Sequence, residues 1–210
     1  PIIYGLTIGE YAKMINNEGW LKNRFKSNLI LIELENYDRK EDYDLPIIPS
    51  PNLPNNKSVN LYPSLCLFEG TNISVGRGTN YQFQIYGSPF LNKDKNPFKF
   101  KPIKNNGSKY PKHENKLCYG KNLSDFNKLK KINLSFLIAA YSDSSDKEKF
   151  FNNYFIKLAG TKDLKDQIIN GVSEDKIIGS WQKKLNNYKE MRMKYLIYKW
   201  NIYEKDNIRL

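Results

Sequence analysis

Hydrophobic positions along the chain change their spacing at about residue 132, and the elements they predict change with them. Near the start, Ile8, Tyr11, Ala12 and Ile15 fall at i, i+3, i+4 and i+7, one apolar helical face. Thr7-Ile-Gly-Glu10 has the T-x-x-E form of a capping box opening that helix, and Gly19 stops it. Capping is therefore preferred over catalysis as the role of Glu10. Residues 29–35 are an apolar run of strand length, expected to be buried. Leu61 to Glu69 is apolar with two aromatics and predicts a buried short helix or strand. Tyr81 to Tyr86 alternates as a strand does, and short strands are expected at 98–103 and 117–122 around an irregular Lys, Asn and Gly segment.

Beyond the change, 132–141 and 148–158 predict helices. Thr161 caps a short helix with Asp163 in its first turn and Gly171 at its end. Ser173 caps a longer one, on which Ile177, Ile178, Trp181, Leu185, Tyr188 and Tyr195 form a stripe. Such stripes are core far more often than binding surfaces. The fold class is α+β: a mixed α/β core with a short-stranded sheet over 1–131, then a C-terminal group of packed helices over 132–210. One domain is expected.

Composition narrows the function. The 210 residues are enough for a proper core, and no apolar run approaches the roughly 18–20 residues of a membrane span. The net charge of +12 suits nucleic acid, an anionic membrane surface or an anionic wall polymer. The lysines are scattered, however, and only five cations are arginine, so nucleic acid is disfavoured. Cys66 and Cys118 are too few for a disulfide framework and lack metal-ligand spacing, leaving buried thiols or one long-range bridge. The opening Pro1-Ile-Ile-Tyr has no signal-like character, and the chain is expected to be cut from a longer protein.

Two segments carry candidate chemistry. Residues 46–54 hold four prolines and form a stiff extended connection, either holding Ser50 and Asn52 beside a ligand or simply crossing between elements. Residues 67–80, LFEGTNISVGRGTN, set one glutamate and one arginine among three glycines. The glycine spacing fits neither a phosphate loop nor a dinucleotide fingerprint. No G-x-S-x-G is present, and His113, the sole histidine, reads as a lone surface residue, so nucleophilic triads and metal sites are disfavoured. Carboxylate chemistry remains. Glu69 stands where an apolar segment meets a polar loop, as a general acid or as a salt-bridged brace, and Arg77 is placed to hold an anionic group.

Four ordered motifs then match one family. Gly5-Leu-Thr-Ile-Gly-Glu10, Pro49-Ser-Pro-Asn-Leu-Pro54, Tyr62-Pro-Ser-Leu-Cys-Leu-Phe-Glu-Gly-Thr-Asn72 and Ser74-Val-Gly-Arg-Gly-Thr79 resemble the NamZ-like exo-β-N-acetylmuramidases. Weaker similarity continues through Leu117-Cys-Tyr-Gly120, Leu158-Ala-Gly160, Trp181 and Tyr195-Leu-Ile-Tyr198. The chain departs from the family pattern at Val75, Gln82 and Tyr4, where an acidic residue, a proline and a histidine are common.

The resemblance implies a cofactor-free glycoside hydrolase that removes terminal β-linked N-acetylmuramic acid from peptidoglycan-derived muropeptides, in the periplasm or outside the cell. It assigns the chain to the family's second domain alone, a Rossmann-like N-terminal catalytic domain being the missing partner. Glu69 is then the catalytic carboxylate from this side and Arg77 the partner of the lactyl carboxylate. Asn72, Ser50, Asn52, Thr71, Thr79 and Tyr4 line the substrate, and Gly70, Gly76 and Gly78 let backbone approach it. The rivals are a non-catalytic wall-glycan-binding module and, further off, a basic nucleic-acid-binding domain.

Overall fold

The computed structural model describes residues 2–198 and is α+β, with two compact units: Ile3–Tyr43 together with the segment from 178 onward, and Asp44–Ile177.

The first unit opens on helix α1 (Ile8–Asn17), and its capping box forms as the sequence requires. The Glu10 N–H donates to Thr7 Oγ1 at 3.4 Å and the Thr7 N–H to Glu10 Oε2 at 2.8 Å. Glu10 does more than cap. It is fully buried, and its other oxygen accepts from Arg39 Nη2 at 2.5 Å and from the Ile197 N–H at 2.8 Å. That network turns Glu10 and Met14 inward, an i, i+4 pair, and leaves Ile8 78% exposed; the apolar face expected from spacing is not the buried one. The strand expected at 29–35 is also absent, because its run finds no strand partner among the described residues, and Ile30 and Ile32 are 82% and 94% exposed. Later in this unit, Tyr188 Oη and Arg192 Nη1 donate to the Tyr4 carbonyl at 2.8 and 3.2 Å.

In the second unit, α2 (Asn56–Leu65) carries a second capping box, between Asn55 and Ser58. Pro63 lacks the N–H that would continue the ladder, and the chain tightens into a 3-10 turn over Cys66–Gly70. Strands β1 (Ile85–Ser88), β2 (Phe98–Phe100) and β3 (Cys118–Asn122) form an antiparallel sheet in the order β1-β3-β2. The first strand begins later than alternation predicts, because Phe83 adopts φ +52°, a left-handed conformation no ladder accepts. Helices α3 (Ser135–Asp143), α4 (Tyr154–Ala159) and α5 (Asp163–Ile169) follow, and α6 (Glu174–Met193) starts with Glu174 Oε1 accepting from the Leu134 N–H at 2.8 Å. The core is Leu61, Leu65, Leu67, Phe68, Ile73, Ile85, Leu134, Phe150 and Phe155. Phe68 stacks on Tyr86 at 4.9 Å, joining the 3-10 turn to the sheet. Along α6, Ile177, the last residue of this unit, is fully buried, and Ile178, Trp181, Leu185 and Tyr188, which belong to the first unit, are half-buried.

Cys66 and Cys118 are free thiols, both buried. Burial pushes Cys66 up to about 11, with the Glu69 charge adding to it, and Cys118 up to about 12. An acid whose folded value is raised contributes stability that is full below its ordinary value of 9 and is lost as pH climbs through the folded value. The stability advantage of the native chain over Cys118→Ala is therefore expected to shrink as pH rises from 9 towards 12. Urea unfolding of both proteins across that range checks it; an advantage that stays constant would show an unshifted thiol.

Candidate functional site

The glycine loop is anchored at nearly every step. The Asn72 N–H donates to the Phe150 carbonyl at 2.8 Å, and Ser74 exchanges two bonds with Gly87 of β1, at 2.8 and 2.9 Å. Thr71 Oγ1 donates to the Phe68 carbonyl at 2.8 Å and accepts from the Ile73 N–H at 3.1 Å. Thr79 Oγ1 likewise donates to the Gly76 carbonyl at 2.7 Å and accepts from the Tyr81 N–H. Both threonines thus serve their own turns. Gly70 is required by its neighbour: a Cβ there would lie 2.4 Å from Phe155 Cα. At Gly78, with φ +79°, it would meet the Ile103 carbonyl at 2.7 Å, and the same side of Gly76 is filled by Ile85 and Tyr81. The space beside each of these glycines is occupied by this chain.

The anchoring brings Glu69 and Arg77 together. Arg77 Nη2 donates to Glu69 Oε1 at 2.6 Å, with the two side chains 37% and 24% exposed. The guanidinium lies 5.3 Å over the Phe83 ring, which itself packs on Tyr62 at 4.9 Å. Burial raises the Tyr62 hydroxyl above its ordinary value, with the Glu69 and Cys66 charges adding and Arg77 opposing. Arg77 Nε is buried without a protein partner. The site is thus a half-exposed ion pair on an aromatic shelf.

Lys112, which sequence reasoning passed over, and His113, which it read as a surface residue, hold this loop in shape. Lys112 Nζ donates to the carbonyls of Phe68 at 3.2 Å, Ile73 at 2.9 Å and, closer still, Thr71. Burial lowers the ammonium to about 8; the Glu69 charge opposes that and the Arg77 charge adds to it. His113 Nε2 lies 2.6 Å from the Asn72 carbonyl, and because a carbonyl only accepts, that nitrogen carries the proton. Burial lowers His113, the Asn72 bond opposes, and the Lys112 and Lys116 charges add to the lowering. The expectation of a lone surface histidine is corrected: His113 is half-buried and bound to the loop. Nothing in the sequence separates Lys112 from the other lysines. Its signal is only that it adjoins the sole histidine, in a turn where His113 and Asn115 take positive φ.

Ser50, Asn52 and Tyr4, also expected at the site, make contacts of their own. Asn52 Nδ2 donates to the Gly107 carbonyl at 2.7 Å, and Ser50 Oγ accepts from the Asn52 N–H at 3.2 Å. The proline segment is thereby braced on the 105–108 turn, and no hydrogen bond joins it to Glu69 or Arg77 among the described residues. Asn52 and Asn72 each keep a buried Oδ1 without a partner. Tyr4 belongs to the first unit, where its ring packs on Tyr11 at 5.2 Å.

Comparison with known proteins gives the class first, a family of peptidoglycan glycosidases. The family model for the C-terminal part of exo-β-N-acetylmuramidase NamZ matches residues 60–198, and the model for its N-terminal part matches 1–57. The chain belongs to the NamZ exo-β-N-acetylmuramidase family. The second match extends the likeness into the N-terminal part, beyond the second domain to which the motifs alone assigned the whole chain. Over 216 aligned residues the chain is 33% identical to the peptidoglycan β-N-acetylmuramidase NamZ of Bacillus subtilis strain 168, covering 94% of this chain and 51% of that protein. It is 42% identical to a DUF1343 family protein of Bacteroides fragilis whose crystal structure superposes with a TM-score of 0.88, covering 93% of this chain and 56% of that one. A second DUF1343 family protein of B. fragilis shares the fold at TM-score 0.70 and 23% identity, covering 92% of this chain and 56% of that one. The chain thus spans about half the length of the relatives it matches.

Proposed function

We propose that the face built around Glu69 and Arg77 forms one wall of a glycosidase site that releases terminal β-linked N-acetylmuramic acid from peptidoglycan fragments, the rest of the family's N-terminal domain supplying the other wall. The observation that carries this is the partly exposed pair itself: Arg77 lies over the Phe83 ring and bonds Glu69, with 37% of its side chain still open. Muramic acid differs from glucosamine by a lactyl carboxylate, the group a fixed guanidinium fork binds best. Glycosidic cleavage uses two carboxyl groups, and Glu69 is the one from this side, as acid or as an orienting group. Asn72, Asn52 and Ser50 are the polar groups proposed for the sugar's hydroxyl and N-acetyl substituents. The same reading puts the protein's work in the periplasm or outside the cell.

Among the described residues, the groups that interact with Glu69 are Arg77, Lys112, Tyr62 and Cys66, with no carboxylate among them. That favours a second reading for the chain by itself, a wall-glycan-binding face that cuts nothing. Chromophore release from a β-N-acetylmuramide, with the β-N-acetylglucosaminide as control, separates the two. For the Arg77 role, titration with N-acetylmuramic acid and N-acetylglucosamine is the check. Arg77→Ala is expected to weaken the first by about ten- to a hundredfold, the worth of a charged hydrogen bond or two, and the second hardly at all. Equal losses for the two sugars would end the lactyl assignment.

A further inference from the structure

We propose that Lys112 is a positioning residue for Glu69, its ammonium gathering the carbonyls of Phe68, Thr71 and Ile73 and so setting the backbone on both sides of that carboxylate. The three acceptors straddle Glu69 in sequence, one residue before it and two and four after it. An ammonium has three donors, and here all three end on backbone carbonyls. The Phe68 carbonyl, which already accepts from the Thr71 N–H at 2.9 Å and from Thr71 Oγ1 at 2.8 Å, takes Lys112 as a third donor. Next in sequence, His113 takes the Asn72 carbonyl at 2.6 Å, so the 71–73 carbonyls are all held from the same turn.

The turn of the carbonyls has a chemical consequence. A backbone carbonyl is an acceptor that repels a carboxylate, and a run of them pointed at Glu69 or at an anionic sugar would weaken either. Lys112 and His113 draw those oxygens onto themselves. The titratable groups facing the ammonium are Glu69 and Arg77 from the loop and His113 from its own turn. Lys112 therefore touches no substrate; it acts through the loop. This rests on the reading of Glu69 as the site's carboxylate, but the loop's dependence on Lys112 is measurable without any ligand.

The test is nuclear magnetic resonance of the whole chain, with the Lys112 amine nitrogen and the carbonyl carbons followed from pH 6 to 10. The carbonyls of Phe68, Thr71 and Ile73 are expected to titrate with the midpoint of Lys112, while sheet carbonyls such as that of Tyr86 do not follow it. Loop carbonyls indifferent to the Lys112 midpoint would overturn the proposal. Hydrogen exchange of Lys112→Met is the second arm. Exchange of the Thr71, Asn72 and Ile73 amides is expected to rise about ten- to a hundredfold over that of the β1 and β3 amides, the effect of losing charged hydrogen bonds. A rise shared equally by loop and sheet would mean a general structural role and would also overturn it. Titration of native chain and Lys112→Met with N-acetylmuramic acid separates the two readings. Loop carbonyls that follow Lys112 in a chain that binds no muramic acid would uphold the positioning of the loop and remove the sugar site.

Discussion

Glu10→Ala is expected to destabilise the first unit by about 3–5 kcal/mol, the cost of breaking a buried, hydrogen-bonded ion pair from one side. Glu10 is completely buried, and its side chain accepts from Arg39, from the Thr7 N–H and from the Ile197 N–H. Alanine removes the acceptor common to helix α1, the 39 position and the 197 position at once, and it removes half of the capping box. Trp20 and Trp181 both belong to this unit, so tryptophan fluorescence during urea unfolding reads it selectively. A loss under about 1 kcal/mol would put the pair in the range of exposed surface bridges and void the argument.

The same carboxylate gives an acid limit. Burial pushes Glu10 up, but the bonds from Arg39, Thr7 and Ile197 and the Arg39 charge outweigh it, and the group stays below its ordinary 4.5. Stability from a lowered carboxyl is full above the ordinary value and is lost as pH falls through the folded one. The fluorescence midpoint is accordingly expected to drop below pH 4.5, and Glu10→Ala to lose that pH dependence.

What was legible in the sequence was whatever local chemistry decides. The Thr7–Glu10 box needs only residues three apart, and it forms. The three short strands and most helices after 132 also follow from spacing, but the helix expected at 148–158 begins only at Tyr154, and the N-cap of α5 is Lys162, not Thr161. What the pattern missed depends on partners far along the chain. The inward face of α1 is set by Arg39 and Ile197, positions that no window around residues 8–17 contains. The run at 29–35 has the composition of a strand, yet a strand needs a ladder from elsewhere. Lys112 was invisible for the same reason: its acceptors lie about 40 positions upstream. The Glu69–Arg77 pair was legible as a choice between two roles, because eight residues with glycines between them set both side chains on one loop but do not say what they face.

Glu69→Gln separates those two roles, because it keeps the shape of the side chain and removes only its charge and its acid. In whatever assembly hydrolyses the β-N-acetylmuramide, the chain alone or with the family's N-terminal domain, turnover is expected to fall about 10²- to 10⁴-fold, the usual contribution of a positioned acid or base. Folding is expected to hold, since a pair with side chains 24% and 37% exposed is partly screened and the amide oxygen still accepts from Arg77. Affinity should move the other way. Glu69 now competes with any anionic ligand for the Arg77 fork, and the Lys112 charge lies nearby. With the carboxylate gone, N-acetylmuramic acid should bind as tightly as before or more tightly, while N-acetylglucosamine stays unchanged. Lost turnover with kept or improved affinity assigns Glu69 to the chemical step. Turnover that survives the substitution returns it to bracing its own loop, and the cutting carboxylates must then both come from outside this face.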